Sequence, residues 1–250
     1  MSLIVPAILP TSREDLEHKL ALLSSVPSIR RVQIDIVDGK FASPASWPYS
    51  AEATQGKPYS APKPYAALKA LAPDGLLPHV ERFEYEVDLM CFDADRMADA
   101  WLSLGASRIT FHLESAANVE KLMASVRRRH GAGGFTPLVS FGLALNIATD
   151  LSLLEPHLDT IDYVQFMGIA KIGRQGQPFS RQALDKIRAF RRLHPDIPIQ
   201  VDGGVSLATA RELSRLSIPT LIVGSAIVRS ADPAAAVRMF EEELHSPYGV

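Results

Sequence analysis

Short apolar runs alternate with longer amphipathic stretches along the whole chain. The runs are rich in Val, Ile and Leu, as buried strands are, and the stretches between them begin at Ser or Asp and end near Gly or Pro, as helices do. The pattern predicts strands at residues 3–9, 31–37, 85–90, 108–113, 137–145, 163–167, 197–201 and 220–223. It predicts helices that begin near Ser12, Asp93, Ala117, Ser180, Ser206 and Asp232, with a short helix after Thr149 and another over 63–71.

Eight strands separated by helices are typical of one closed fold. Alternating strand and helix units form a parallel sheet covered by helices, and eight units favour a barrel over an open doubly wound sheet. A chain of 250 residues has the usual size for that barrel. We therefore predict an α/β protein that forms a single (β/α)8 TIM barrel, with residues 1–250 as one domain.

Residues 42–64 form a long insertion after the second predicted strand. The insertion is rich in Ser, Pro, Ala and Tyr and is too long for a simple turn. Loops that follow barrel strands lie on the face where active sites are built, so we expect the insertion to be a lid. A passive surface insertion is the alternative, because long loops are often merely tolerated.

Polar side chains alternate with apolar ones on four of the predicted strands. Successive strand residues point to opposite faces, so the apolar set must face the helices and the polar set the inside of the barrel. The inward set comprises Gln33, Asp35, Glu86, Asp88, Met90, His112, Glu114, Gln200 and Asp202. Burying a carboxylate costs several kcal/mol unless it is paired, protonated or bound to a cation. A functional site therefore explains this set better than stability does.

Two of the inward carboxylates occupy the ends of their strands. Asp35 and Asp202 end the second and seventh strands, where they can face each other across a substrate. Such a pair suits removal of a proton from one face of a carbon and its return to the other face. Glu86, Glu114 and Gln200 have a plainer interpretation, as a deeper layer of hydrogen-bonded polar groups.

Glycines follow each of the last three predicted strands. The sequences are GIAKIGRQGQPF at 168–179, DGG at 202–204 and GSAI at 224–227. Glycine lets backbone N–H groups approach a ligand closely, and barrels often bind phosphate with the loops after strands seven and eight. One such loop would be ordinary turn chemistry, but three adjacent ones predict a phosphate site.

The charge of the chain limits its partners. The formal net charge is −2, and 22% of the residues are charged, with both signs mixed. The sequence has no basic stripe for nucleic acid, no polybasic anchor for a membrane, and no apolar run near the roughly 20 residues of a membrane helix. The single cysteine, Cys91, excludes an internal disulfide framework, and the N-terminus has no signal-peptide pattern. We expect a cytoplasmic protein that binds neither nucleic acid nor membrane.

The chain resembles the ribulose-phosphate 3-epimerase family in motifs that occur in the expected order. These motifs are PAILPTSREDL, QIDIVDGKF, EVDLM, FHLES, GRQGQPF, VDGGV and VGSAI. The resemblance implies a similar barrel that interconverts ribulose 5-phosphate and xylulose 5-phosphate through an enediolate. It also implies two aspartates acting as acid and base around a divalent metal, and a homo-oligomer.

The resemblance assigns roles to residues of this sequence. The catalytic pair is Asp35 and Asp202. The substrate-binding candidates, to which inward-facing His112 is added, are Met90, His112, Met167, Gly173, Gly176, Gln177, Gly203, Gly204, Gly224 and Ser225. The candidate metal ligands are Gln33, Asp35, Asp88 and Asp202.

The sequence departs from the family pattern at the metal site. Gln33 and Asp88 replace the family's two metal-ligand histidines, so every candidate ligand atom is an oxygen. Such a set favours Mg²⁺ or Mn²⁺ over Zn²⁺ or Fe²⁺, or else the absence of a metal. Other departures are the insertion, Ala7 and Pro10 in place of serines, and Val37 in place of a methionine. They indicate a divergent branch whose substrate need not be ribulose 5-phosphate.

The sequence leaves three functions open. The first is epimerisation of a phosphorylated ketose, in which Asp35 and Asp202 exchange a proton at carbon 3. The second is an aldolase or another isomerase that acts through the same enediolate, since the reaction of a barrel depends on its loops. The third is a sugar-phosphate-binding protein without catalytic activity.

Overall fold

A computed structural model describes residues 3–50, 64–131 and 139–245, in which eight parallel strands close into a barrel. The strands are β1 (Leu3–Ile8), β2 (Arg31–Val37), β3 (Glu84–Met90), β4 (Ala106–His112), β5 (Ser140–Leu145), β6 (Tyr163–Met167), β7 (Ile199–Asp202) and β8 (Thr220–Val223). The helices are α1 (Arg13–Ser24), α2 (Pro64–Leu71), α3 (Ala94–Ser103), α4 (Val119–His130), α5 (Arg181–Leu193), α6 (Leu207–Ser214), α7 (Ser225–Val228) and α8 (Pro233–His245). Short 3-10 helices cover Leu151–Leu153 and Glu155–Thr160.

The strands follow one another around the barrel in chain order, and β8 closes the ring against β1. The prediction of a (β/α)8 barrel is therefore confirmed. Strands β2, β6 and β8 have the predicted bounds, and the bounds of β1, β3, β4 and β7 differ from the predicted ones by at most two residues. Pro137, where the fifth strand was predicted to begin, and residues 51–63 of the predicted lid lie outside the described residues.

The helix starts follow the side chains that cap them. Ser12 accepts a hydrogen bond from the backbone N–H of Asp15, and Ser206 forms a capping box with Thr209. The fourth helix begins one residue later than predicted because Asn118, not Ala117, caps it. Helix α7 was not predicted, because its four residues, SAIV, are too few to show a helical period.

Apolar side chains on the outer face of the sheet form the main core. Ile34 and Ile36 of β2 lie in this core between strands and helices, together with Trp101 and Phe190 from the helices. None of the helices in the described ranges combines the length and apolar character needed to cross a bilayer. The main core thus lies outside the barrel ring, as the parity of the strands predicts.

The inside of the barrel is polar. Gln200 on β7 donates to Glu86 on β3, and Gln165 on β6 donates to Asp88 on β3. These strands are not neighbours in the ring, so the side chains meet across its centre. Polar inward residues on β2, β3, β4 and β7 were predicted, and the structure adds Gln165 on β6.

The ring of Tyr163 limits the space beside Gly142 inside the barrel. A Cβ built on Gly142 would lie 2.2 Å from the ring of Tyr163. That ring is held by a 2.8 Å hydrogen bond between its hydroxyl and Thr110, and the Arg108 guanidinium lies 4.1 Å from its centroid. Only glycine at position 142 leaves room for the ring.

We expect Gly142→Ala to destabilise the protein by about 1–3 kcal/mol, because the added methyl group overpacks against Tyr163. In a Tyr163→Val background the clashing ring atoms are gone, so the same change should cost much less. Urea unfolding of the four proteins of this double-mutant cycle measures the coupling. Equal costs in both backgrounds would show that the contact does not limit position 142.

Candidate active site

A cavity of about 200 Å³ opens at the carboxyl ends of the strands. Eleven of the predicted site residues line it: Asp35, Met90, Met167, Gly173, Gly176, Gln177, Asp202, Gly203, Gly204, Gly224 and Ser225. The carboxylates and methionines lie on the strands, and the glycines lie on the loops after β6, β7 and β8. Gln33, Asp88 and His112 are wholly buried and lie behind the cavity wall.

Gln33 joins the two aspartates that were predicted to be catalytic. Its side-chain Nε2 donates to Asp35 Oδ1 at 2.8 Å and lies 3.4 Å from Asp202 Oδ2. Strands β2 and β7 are well separated around the ring, but their inward side chains meet at its centre. The two carboxyl groups therefore reach the cavity from well-separated strands and are linked by a shared amide.

Asp88 is held from two sides. His112 Nε2 lies 3.0 Å from its Oδ1, and Gln165 Nε2 donates to its Oδ2 at 3.0 Å. Phe41 packs over the His112 ring, with 5.5 Å between the ring centroids. His112 therefore contacts Asp88, and it is not on the cavity wall where a substrate-binding role would place it.

The environment shifts the acidities of these groups. Burial, followed by the charge of Asp88, raises the pKa of Asp35 well above its ordinary value. Burial, followed by the charge of Asp35, does the same to the pKa of Asp202, and the Gln33 amide opposes both shifts. Burial alone would lower the pKa of His112, but the Asp88 carboxylate outweighs it and raises that pKa. Carboxyl groups this close do not readily both ionise, so the pair suits one protonated and one ionised group.

The same carboxylates fit a divalent cation. One oxygen each of Asp35, Asp88 and Asp202 lies within 4.8 Å of the other two. Gln33 Oε1 is buried and accepts no hydrogen bond within the described residues, so it is free to face a cation. A donor set made only of oxygen atoms suits hard cations such as Mg²⁺ and Mn²⁺. This acidic cluster can therefore hold a metal ion.

Glu86 anchors a separate polar layer deeper in the barrel. It accepts hydrogen bonds from Gln200, from Arg108 Nε at 3.1 Å and from the Thr110 hydroxyl at 3.3 Å. Arg31 Nη1 lies 4.0 Å from its Oε2. The charge of Glu86 is thus compensated by arginines at the closed end of the barrel. This agrees with the plainer interpretation given above for Glu86 and Gln200.

Glu114 does not belong to that layer, and its placement there was wrong. Strand β4 ends at His112, and the chain turns before Glu114, whose side chain is 23% exposed. Glu114 accepts hydrogen bonds from the backbone N–H of Asn146, at 2.8 Å, and from the Thr149 hydroxyl. It therefore ties the loop after β4 to the loop after β5.

Backbone geometry shapes the other end of the cavity. Gly203 and Gly204 have φ of +97° and +71°, in the left-handed region that favours glycine. A Cβ on Gly204 would also lie 2.7 Å from the backbone of Phe179. The backbone N–H groups of Gly203, Gly204 and Gly224 donate no hydrogen bond to any described part of the chain. Unpaired donors grouped in this way suit an anion, and we call the three N–H groups the glycine cradle.

Two glutamines of the loop after β6 differ in what they contact. The Gln177 amide donates to the backbone oxygens of Lys171 and Arg174, so it braces its own loop. The Gln175 amide reaches over the cradle and donates to the Ala7 backbone oxygen at 3.1 Å. Sequence reasoning missed Gln175, because its reach across to β1 leaves no local pattern.

The described half of the insertion packs against the site. Ser46 and Trp47 are buried, and Ala42 packs against Val37 and Met90. Arg174 Nε donates to the Ser43 backbone oxygen at 2.9 Å, which joins the insertion to the loop after β6. Residues 42–50 therefore pack against the end of β2 and the loop after β6, and the role of the insertion as a lid stays a prediction.

Comparison with known proteins places the chain among sugar-phosphate barrels. The model of the Ribulose-phosphate 3 epimerase family matches residues 70–228. Ribulose-phosphate 3-epimerase of Rhodospirillum rubrum is 34% identical over 179 residues, which cover 70% of this chain and 73% of that protein. The enzyme of the same name from Escherichia coli strain K12 is 31% identical over 163 residues, or 64% and 68% of the two chains.

A solved structure shows the same fold at low sequence identity. The crystal structure of 3-hexulose-6-phosphate synthase from Salmonella typhimurium superposes with a TM-score of 0.65, at 17% identity and with 98% of each chain covered. At that identity the likeness concerns the fold alone. The family match covers more than half of the chain, and together with the Rhodospirillum rubrum relative it shows that this protein belongs to the ribulose-phosphate 3-epimerase family.

Proposed function

We propose that this protein is an isomerase that epimerises a phosphorylated ketose at carbon 3, with ribulose 5-phosphate and xylulose 5-phosphate as the first candidates. One observation carries the proposal: Asp35 and Asp202 share the Gln33 amide on the wall of a cavity whose other end is a glycine cradle. The groups proposed for proton transfer and the groups proposed for phosphate binding thus lie at separate ends of one cavity. Membership of the family supports the same reaction.

The cradle orients the substrate. The unpaired N–H groups of Gly203, Gly204 and Gly224 suit the oxygens of a phosphate group. The carbon chain then extends from the phosphate towards the aspartates, past Met90 and Met167 on the cavity wall. A volume of about 200 Å³ suits a small sugar phosphate and not a large ligand.

The two aspartates exchange roles during the reaction. The ionised carboxylate removes the proton from carbon 3, which gives an enediolate, and the protonated carboxyl group returns a proton to the opposite face. The raised pKa values of Asp35 and Asp202 favour this arrangement, since each group holds a proton more readily than an ordinary aspartate does. Gln33 keeps the two carboxyl groups in place while the charge moves between them.

Gln33, Asp35, Asp88 and Asp202 are the residues that would hold a metal, and Mg²⁺ or Mn²⁺ suits their oxygen atoms better than Zn²⁺ or Fe²⁺. When bound, such a cation supplies positive charge beside the oxygens of the substrate. His112 and Gln165 orient Asp88 for this task.

Other reactions of an enediolate use the same groups, so product analysis has to accompany any exchange measurement. A protein that binds the sugar phosphate but exchanges no proton would fit the third function considered from the sequence. The cytoplasmic location, the single domain and the homo-oligomeric state stay predictions from sequence.

Asp35→Asn and Asp202→Asn should each lower proton exchange at carbon 3 by about 10²- to 10⁴-fold, because each removes one proton-transfer group. Ribulose 5-phosphate incubated in D₂O, with and without Mn²⁺ or Mg²⁺, reports deuterium entry and xylulose 5-phosphate formation by NMR. Calorimetric binding of ribose 5-phosphate should change little, since the glycine cradle is intact. Asp185→Asn, a carboxylate change on α5 where the side chain is 79% exposed, is the matched control. Full exchange by both asparagine variants would contradict the assignment.

Asp88→Asn should weaken Mn²⁺ binding by about 10- to 100-fold, because the variant loses one charged oxygen ligand of the acidic cluster. Titration of the protein with Mn²⁺ alone, followed by the electron paramagnetic resonance signal of free Mn²⁺, measures the affinity. Asp185→Asn again serves as the control and should bind Mn²⁺ as the unchanged protein does. Equal affinities for Asp88→Asn and the control would exclude Asp88 as a ligand.

The contribution of Asp35 and Asp202 to the stability of the metal-free protein should fall across the pH window that begins at about 4. The folded pKa values of Asp35 and Asp202 lie above the unfolded value, so in this window the native state holds more protons than the unfolded state and loses stability as they leave. Asp35→Asn and Asp202→Asn each replace one of these carboxyl groups by a group that does not ionise, so each variant should lose less stability as pH rises. Thermal unfolding in EDTA should therefore show a Tm advantage of the variants that grows with pH. An advantage that is constant or shrinks with pH would rule this explanation out.

A further inference from the structure

Strand β2 extends further towards the cavity than its neighbour β1. The two strands pair at Ala7 with Gln33 and at Ile8 with Ile34, and β1 ends there. On its other side, β2 stays paired with β3 as far as Val37. The last three residues of β2, Asp35 to Val37, therefore have no strand partner on the β1 side.

Ser46 takes the place of the missing strand. Its hydroxyl oxygen accepts a hydrogen bond from the Val37 backbone N–H at 2.9 Å. The hydroxyl lies 3.2 Å from the backbone oxygens of Asp35 and Trp47, and its one proton can be donated to either. Its own backbone N–H donates to the Val37 oxygen at 2.9 Å. One residue thus contacts the backbone of Asp35 and both polar backbone groups of Val37.

Ser46 is itself firmly held. It is only 3% exposed, and its backbone oxygen accepts hydrogen bonds from the N–H groups of Tyr49 and Ser50, both at 2.8 Å. The next residue, Trp47, is wholly buried in the main core and donates from its backbone to the Pro10 oxygen at 2.9 Å. The position of Ser46 is therefore fixed by the core and not by the cavity.

We propose that Ser46 is a positioning residue that fixes the orientation of Asp35 for proton transfer at carbon 3. The hydroxyl contacts two backbone groups that directly follow the Asp35 side chain, so its loss frees the end of β2 to move. A displacement of about 1 Å in a reacting group is enough to cost two orders of magnitude in rate. This inference rests on the proposed function, because it gives Ser46 a role only if Asp35 transfers the proton.

The hydroxyl matters more than the rest of the side chain. Ser46→Ala leaves the buried Val37 N–H and the Asp35 backbone oxygen without their side-chain partner, whereas Ser46→Thr keeps a hydroxyl on the same carbon. Ser46→Cys fills the same space with a much weaker hydrogen-bonding group. The three variants separate hydrogen bonding from packing.

The test measures kcat and KM for ribulose 5-phosphate, and deuterium entry at carbon 3, in the full-length protein. We expect Ser46→Ala to lower kcat at least about tenfold with KM changed less than about threefold, because the phosphate cradle is untouched. Ser46→Thr should recover most of kcat. Ser50→Ala is the matched control: it removes a serine hydroxyl of the same segment that donates to the Thr11 oxygen, away from β2, and should keep kcat within about twofold.

Ser46→Cys gives the same comparison if the alanine variant does not fold, since it should show the same loss of kcat. The inference is overturned if kcat of Ser46→Ala or Ser46→Cys stays within about twofold of the unchanged protein. It is equally overturned if Ser50→Ala loses as much kcat, or if kcat and KM change together in parallel with a loss of Tm. If the unchanged protein exchanges no hydrogen at carbon 3, the proposed function fails first, which separates the two failures.

Discussion

Negative charge buried inside the barrel is the constraint on which the site depends. Asp35, Asp88 and Asp202 lie where other barrels place apolar side chains, and His112 is the one cationic side chain that the described residues bring into contact with them. Carboxylates in such a place must bind protons, a cation or a substrate that compensates them. The raised pKa values and the free Gln33 oxygen are two consequences of the same confinement.

The rest of the molecule keeps that charge in place. The polar layer around Glu86 closes the barrel below the site and is neutralised by Arg108 and Arg31, so the two groups of carboxylates have different partners. Next to the carboxylates, the glycine loops offer backbone N–H groups that donate no hydrogen bond within the described residues. The cavity therefore has one end lined with unpaired backbone N–H groups and another lined with carboxyl groups, and the Ser46 hydroxyl contacts the backbone of β2 beside the carboxyl groups.

Much of this arrangement follows from local sequence. The strand period of two placed Gln33, Asp35, Asp88 and Asp202 inside the barrel, because side-chain direction in a strand depends only on parity. The alternation of strands and helices predicted a closed barrel, whose geometry brings the carboxyl ends of the strands together. The glycine loops could also be predicted from local sequence, because a left-handed backbone such as that of Gly204 favours glycine whatever residues surround it.

Only the tertiary structure decided which of these groups touch. Gln165 is a single glutamine in an apolar strand, Gln175 reaches across to β1, and Ser46 lies in an insertion without any motif; each acts on a residue distant in sequence. The same holds for Glu114, whose parity pointed inward although the strand ends before it. Sequence determined the direction of the side chains, because that depends on neighbouring residues. The structure determined their contacts, because these depend on where each strand ends and on how far a side chain reaches.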